Sequence, residues 1–254
     1  MKSIIVVTYN SALYIDSCLA SIEKNISSMD QVFVIDNNSN DNTVDRVEKF
    51  IANKNNFRLI VQKNNLGFAS AVNVGLEISQ GEYIFLINPD TSFKEGILEK
   101  TISLAKEKSA DICGVRQINE KGKSLGSFGK YPSAIVNFFE TTWLAKIFPI
   151  GRYTRYNFLS KKMFVSNRQV DWVGGGFMLL GKKVLEKIGK LDENFFMYFE
   201  DVDFCQRAKR AGLTVWFFGT IQVLHYGGKS FSDKNSIEQK KYSRESLKYF
   251  MQKK

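Results

Sequence analysis

Cysteine is scarce in this 254-residue chain. Cys18, Cys113 and Cys205 are the only three, far apart and without metal-type spacing. An odd count excludes a full disulfide framework, and reduced thiols in a cytosolic compartment are the simplest reading. Long apolar runs are also missing. None approaches the roughly 20 residues a spanning helix needs, and Ile4 to Val7 is too short for the apolar region of a signal peptide. No internal repeat and no low-complexity linker divides the chain, so one domain is the better count. Acidic residues are in the minority, 26 against 36 Lys and Arg, which leaves a formal charge of +10. That excess calls for an acidic partner: phosphate groups, an anionic membrane surface or nucleic acid. With 44% hydrophobic and 24% charged residues, the chain can bury one large α/β core with room for a subdomain.

The stretch Glu82 to Asp90 organises what is present. Tyr83 to Ile87 is a short, continuous apolar run of β-formers, as expected of a strand buried on both faces of a parallel sheet. Pro89 cannot donate to a ladder and ends it. Asn88 and Asp90 then stand at the strand's carboxyl end, where open α/β sheets bind ligands. A carboxylate there suits a hard divalent cation chelated by phosphates. An ordinary turn with Asp in a favoured position accounts for the same residues.

Upstream, strand and helix signals alternate. Ser3 to Val7 predicts a strand, broken by Thr8-Tyr9-Asn10-Ser11, with a helix to follow on Leu13, Cys18, Leu19 and Ile22. Gln31 to Ile35 predicts a second strand. The polar run from Asp36 to Asp41 follows it and offers N-caps for a helix from Thr43 to about Asn53. Arg58 to Gln62, then a helix from Ala69 to Ser79, complete a β-α-β-α-β-α-β rhythm before the organising strand. This predicts a parallel sheet with helices on both faces and polar loops gathered along one edge.

The second half is less regular. Lys94 to Ser109 predicts a helix, and residues 110–167 are mixed. Within them, Ile135 to Phe139 and Trp143 to Phe148 are apolar and flanked by Arg152, Arg155, Lys161 and Lys162, as in a core segment or a membrane-interface patch. Val170 to Leu180 has strand character around Gly174-Gly175-Gly176. Val184 to Ile188 is helical in pattern, and Thr214 to Phe218 is strand-like. Beyond Ser232 the chain is rich in Lys and Arg. Two short segments carry chemistry. Glu200, Asp201 and Asp203 place three carboxylates within four residues, after the aromatic Phe195 to Phe199. Such crowding needs compensation, and a partly dry pocket raises a carboxylate toward a useful general base. A helix N-terminus explains the same acids. The lone His225 stands before Gly227-Gly228-Lys229, a composition suited to phosphate contact.

Taken together these pieces resemble the inverting family 2 glycosyltransferases of GT-A fold, and within them the bacterial rhamnosyltransferase-like group. The matching runs are Val7 to Asn10, Val34 to Ser39, Asn65 to Ala69 with Asn73 and Gly75, Leu86 to Asp90, Trp172 to Gly176, Phe195 to Asp203, and His225 to Ser230. The resemblance implies a mixed, mainly parallel sheet of Rossmann-like type over residues 1–232. The nucleotide-binding half is expected in 1–109 and the acceptor-binding half in 110–232, with a basic tail over 233–254. Thr8, Tyr9, Asn10, Asp36, Asn38, Asn65, Gly67, Asn73, Asn88 and Lys229 are implied in nucleotide binding, with Asp36 accepting from a pyrimidine N–H. Asn88-Pro89-Asp90 stands where the family has Asp-x-Asp. Asp90 therefore carries the ionic part of a Mg2+ or Mn2+ site, with His225 a further ligand. Trp172, Gly174, Gly175, Gly176 and Glu200 are implied on the sugar and acceptor side, and Asp201 as catalytic base.

The implied reaction moves a sugar, L-rhamnose from dTDP-rhamnose or another sugar from a UDP donor, to a saccharide or polyprenyl-linked acceptor in bacterial surface polysaccharide synthesis. A cytoplasmic protein in peripheral contact with the anionic inner face of the membrane is expected. Three alternatives stay in view. A nucleotide-sugar-binding protein without transferase activity shares the motifs. A nucleic-acid binder is also basic, but no binding motif is present and the carboxylates repel phosphate without a cation, so no nucleic-acid partner is expected. A sugar nucleotidyltransferase ordinarily carries a Gly-rich, Lys- or Arg-bearing loop that Thr8-Tyr9-Asn10-Ser11 lacks.

Overall fold

The computed structural model describes residues 1–132, 161–226 and 236–253. The first half alternates as its sequence pattern predicts. β1 (Lys2–Thr8), α1 (Ile15–Glu23), β2 (Gln31–Asp36), α2 (Thr43–Ile51), β3 (Phe57–Val61), α3 (Phe68–Ile78) and β4 (Tyr83–Ile87) follow one another. The strands pair in parallel in the order β3-β2-β1-β4. Successive residues of β1, β2 and β4 serve opposite cores, which is why their middles are continuously apolar, whereas the edge strand β3 exposes Arg58 and Val61. Ile5, Val7, Ile84 and Leu86 pack with Ala69, Val72 and Leu76 of α3. Ile4, Val6, Phe85 and Ile87 face the other way, onto Ile15, Cys18 and Leu19 of α1. Truncating the fully buried Phe85 to Ala would cost about 3 to 5 kcal/mol through the cavity left behind.

Beyond β4 the sheet becomes mixed. β5 (Thr91–Ser92) and α4 (Ile97–Lys108) lead into β6 (Ile112–Ile118), a strand that the sequence pattern of residues 110–167 hides. The segment around the glycine run divides. β9 (Trp172–Val173) pairs with β7 (Phe128–Gly129) in a small second sheet, whereas β10 (Phe177–Gly181) enters the main sheet between β4 and β6, antiparallel to both. β11 (Val215–His225) runs parallel to β6 and is flanked by β5 and β8 (Asn167–Gln169). The mixed, mainly parallel sheet implied by the resemblance is thus what forms.

Several expectations change. Leu13 precedes α1 and is 79% exposed, so it takes no part in that helix's buried face. β11 extends seven residues past Phe218, which makes His225 its last residue rather than part of a following loop. α5 (Lys161–Phe164) precedes β8, and α6 (Lys182–Ile188) follows β10. α7 (Glu200–Arg210) carries all three carboxylates of the acidic cluster in its first turn. The stretch expected as a basic tail contains α8 (Ser236–Gln252), whose Leu247 and Phe250 are buried in the core beside Phe195 and Phe199. Residues 133–160, which hold the patch around Trp143, and residues 227–235, which hold Lys229, lie outside the described residues. Among the described residues no helix is long and apolar enough to cross a membrane.

Candidate active site

A cavity of about 1280 Å³ opens along the carboxyl edge of β1 and β4 and the amino end of β10. Of the residues singled out above, Tyr9, Asn65, Gly67, Asn88, Asp90, Trp172, Gly174, Gly175, Gly176, Glu200, Asp201 and His225 line it. The sheet explains the gathering. Asn88 N–H donates to Gly176 O at 3.0 Å and Thr91 Oγ1 to the same oxygen at 3.2 Å. The end of β4 and the start of β10 are therefore stitched together, with the Thr91 bond alone spanning 85 residues of sequence. Tyr226 N–H donates to Asp90 O at 3.0 Å and brings the end of β11 to the same point.

Asp90 and His225 meet there. The Nε2 of His225 lies 2.9 Å from Asp90 Oδ1, and the two side chains are only 14% and 4% exposed. The approach is not aligned as a hydrogen bond, and neither ring nitrogen of His225 has a hydrogen-bond partner among the described residues. A buried imidazole without partners is costly. Beside a carboxylate it matches the N and O donors that a divalent cation takes, with phosphate oxygens completing the shell. The residues therefore fit the implied cation, though among the described residues no three His, Cys, Asp or Glu side chains converge so as to hold a metal ion by themselves.

The acidic turn sorts its three carboxylates. Asp201 accepts from Gly175 N–H at 3.1 Å through Oδ2 and from Val202 N–H at 2.8 Å through Oδ1. Burial pushes its pKa up despite those two amides. Glu200 is 6% exposed, not loose as its length suggests, and its Oε2 has no hydrogen-bond partner among the described residues. Burial, and then the charge of Asp201, push its pKa well above the ordinary value. Asp203 turns away from the cavity. It does not cap its own helix but accepts from Arg207 Nε at 2.8 Å and lies 2.7 Å from Lys253 Nζ.

Other expected residues lie off the cavity wall or are held by the fold. Thr8 and Asp36 are fully buried and do not line the cavity. Thr8 Oγ1 donates to Asp36 Oδ1 at 2.8 Å, and Ser39 donates to both carboxylate oxygens, so Asp36 is engaged in shaping its own loop. Asn10 and Asn38 adopt positive φ and lie off the cavity wall; Asn10 Oδ1 accepts from Asn40 N–H. Asn73 is a clamp on the far side of α3. Its amide donates to Leu191 O and Glu193 Oε1 and accepts from Leu191 N–H. Trp172 is held by its indole N–H on Lys130 O at 3.0 Å.

Some wall residues escaped the sequence. Asn37 donates to Asn65 Oδ1 and Gly67 O and accepts from Leu66 N–H, joining the loops that follow β2 and β3. It stands next to Asp36, and its polar character at a strand end was the available signal. Gln117 comes from β6, the unrecognised strand, and Gln239 and Ser243 come from α8. Gly67 has φ +90, and a Cβ there would approach Phe196 O to 2.4 Å. Only glycine fits against that backbone.

Comparison with known proteins agrees with this geometry. The family described as "Glycosyl transferase family 2" matches residues 3–189. Glycosyltransferase GlyG of Streptococcus pneumoniae is 28% identical over 137 residues, covering 54% of this chain and 42% of that protein. N-acetylglucosaminyl-diphospho-decaprenol L-rhamnosyltransferase of Mycobacterium tuberculosis is 25% identical over 239 residues, 89% of this chain and 76% of its own. Rhamnosyltransferase WbbL of Escherichia coli is 26% identical over 156 residues, 60% of this chain and 56% of its own. The chain thus spans between 42% and 76% of the lengths of these relatives. Among solved structures, S. aureus TarS 1–349 aligns at TM-score 0.60 and 19% identity, covering 97% of this chain and 70% of that one. GalNAc-T7 with UDP, GalNAc and Mn2+ aligns at TM-score 0.64 and 12% identity, over 89% and 43%. Those likenesses establish the nucleotide-sugar transferase fold of GT-A type. With a match running from the first strand to the end of α6, this chain belongs to glycosyl transferase family 2.

Proposed function

We propose that the protein is an inverting transferase that moves L-rhamnose from dTDP-rhamnose to a hydroxyl of a saccharide or polyprenyl-linked acceptor. The observation that best supports it is Asp201, partly exposed to the cavity, fixed by two amides and raised in pKa by burial. A base poised toward neutral pH is what an acceptor hydroxyl requires. Asp201 takes the hydroxyl proton as the oxygen attacks the anomeric carbon from the face opposite the leaving group. The bond from that carbon to the diphosphate breaks, and a β-L-linked donor gives an α-L-rhamnoside. Asp90 and His225 would hold a Mg2+ or Mn2+ ion, which when bound offsets the charge developing on the diphosphate. Tyr9, Asn65 and Asn88 bound the nucleotide end, and Trp172 with Gly174 to Gly176 the sugar end. Rhamnose is favoured by the two relatives named as rhamnosyltransferases.

A UDP-hexose donor is the second reading, favoured by the likeness to a transferase solved with UDP. A thermal-shift screen of dTDP, UDP, dTDP-rhamnose and UDP-hexoses, each with and without Mn2+, separates the two, because a ligand of the native state raises its stability. Cation-dependent stabilisation by dTDP-rhamnose above all others is the expected result. Preference for a UDP-hexose overturns the donor assignment, and no response to any nucleotide sugar overturns the function.

A further inference from the structure

Helix α8 lies beyond the residues matched by the family, yet its inward face contacts the loop that precedes Asp201. Ser246 Oγ donates to Met197 O at 2.8 Å. The ring of Tyr242 packs on Phe196 with centroids 4.6 Å apart, and Phe250 on Phe199 at 5.7 Å. Tyr249 Oη donates to Asp192 Oδ2 at 3.0 Å, and Lys253 bridges Asp192 and Asp203 at 2.6 and 2.7 Å. Residues 242, 246, 249 and 253 recur at helical spacing, so one stripe of α8 grips the whole segment from Asp192 to Asp203.

The gripped segment is strained. Tyr198 and Phe199 are consecutive non-glycine residues at φ +69. Each left-handed residue costs about 1 to 2 kcal/mol and persists only where its surroundings impose it. Phe199 also opens α7, since Asp203 N–H donates to Phe199 O at 2.8 Å. Its conformation therefore sets the direction of the first turn, and with it the carboxylate of Asp201.

We propose that Ser246 is a positioning residue: by holding the Met197 carbonyl it keeps Tyr198 and Phe199 in the left-handed conformation that aims Asp201 into the cavity. The proposal rests on the assignment of Asp201 as base. α8 also contributes Gln239 and Ser243 to the cavity wall, so the helix that fixes the base borders the acceptor space.

The test compares Ser246→Val with Ser246→Thr, nearly the same shape without and with the hydroxyl. Amide exchange across residues 195–203 should quicken roughly tenfold in Ser246→Val, the worth of one hydrogen bond. Exchange in β1 to β4 and the affinity for dTDP with Mn2+ should stay within about twofold, and Ser246→Thr should restore wild-type exchange. Transfer by Ser246→Val should fall about tenfold in kcat per dTDP-binding site. Unchanged exchange across 195–203, faster exchange spread over the whole chain, or a valine variant with wild-type kcat would overturn the proposal. Asp201→Asn, run in parallel, keeps the two ideas apart. Should it transfer at the wild-type rate, the base assignment fails by itself, and the exchange comparison alone decides whether Ser246 holds the loop.

Discussion

Replacing the three carboxylates of α7 one at a time separates chemistry from packing. The Asp203 side chain is 2% exposed and held between Arg207 and Lys253. Breaking a buried pair by removing one partner costs about 3 to 5 kcal/mol. Asp203→Asn keeps the shape, Arg207 keeps its bonds to Ile188 O and Lys190 O, and Lys253 keeps Asp192. The loss should therefore fall below that range, at about 2 to 3 kcal/mol. At about 2 to 4 °C per kcal/mol for a chain of this size, Tm should fall by about 4 to 12 °C. Asp201→Asn behaves oppositely. Burial already disfavours its ionised form, so a neutral amide removes a cost as well as an acceptor, and Tm should stay within about 2 °C. Its turnover should fall about 10²- to 10⁴-fold, or roughly 3 to 5 kcal/mol in the barrier. Glu200→Gln should keep the fold and lose less than about tenfold in rate if Asp201 is the base. Calorimetric melting alongside transfer rates decides. An Asp201→Asn enzyme that turns over normally while Glu200→Gln does not would refute the assignment, as would an Asp203→Asn protein as stable as wild type.

Other expectations follow from the same contacts. Asp90→Ala and His225→Ala should each make dTDP binding insensitive to Mn2+, and titration calorimetry showing an unchanged metal dependence would remove that residue from the ligand set. Gly67→Ala should lower stability by more than about 2 kcal/mol, through strain at positive φ and contact with Phe196 O; a melt within 2 °C of wild type would contradict this. Burial raises Asp192, but hydrogen bonds from Lys253, Asn194 and Tyr249 outweigh it and hold the carboxyl down at about 2, against an ordinary 3.8. A depressed carboxyl stabilises above its unfolded pKa and ceases to as pH falls through the folded one. About 1 kcal/mol, discounted for solvent screening, should thus be lost between about pH 4 and pH 2. Asp192→Asn should flatten the wild-type melting profile in that window, and identical profiles would refute the coupling. The exposed Lys240, Lys241, Arg244 and Lys248 of α8 should favour anionic vesicles by about 1 kcal/mol per residue at the surface, weakening with salt. Sedimentation without lipid preference at low salt would rule that out.

How much of this was legible depends on whether a residue's partner lies nearby in sequence. β1, β2 and β4 were visible because strands buried on both faces carry continuous apolar runs, and the edge strand β3 because, like them, it is closed by a polar loop. Asp90 was visible for the same reason: a proline fixes where the strand ends, and the residue after it falls at the ligand edge. β6 was hidden since Gly114, Arg116 and Gln117 interrupt its apolar pattern. Gly114 is small because Val173 crosses there; a Cβ would meet the Val173 side chain at 2.6 Å. That contact spans 59 residues and leaves no local trace. Asp36 shows the same limit. Its buried carboxylate at a strand end takes hydrogen bonds from Thr8 and Ser39, and the Thr8 contact spans 28 residues. The acidic turn was legible as a cluster but not as three separate roles. Gly175 selects Asp201, and Lys253 with Arg207 selects Asp203. Lys253, fifty residues away in sequence, was counted only as one more charge of a basic tail. The same positive charges that suggested an anionic partner are in this instance partly spent inside the fold, where Lys253 pairs with Asp192 and Asp203.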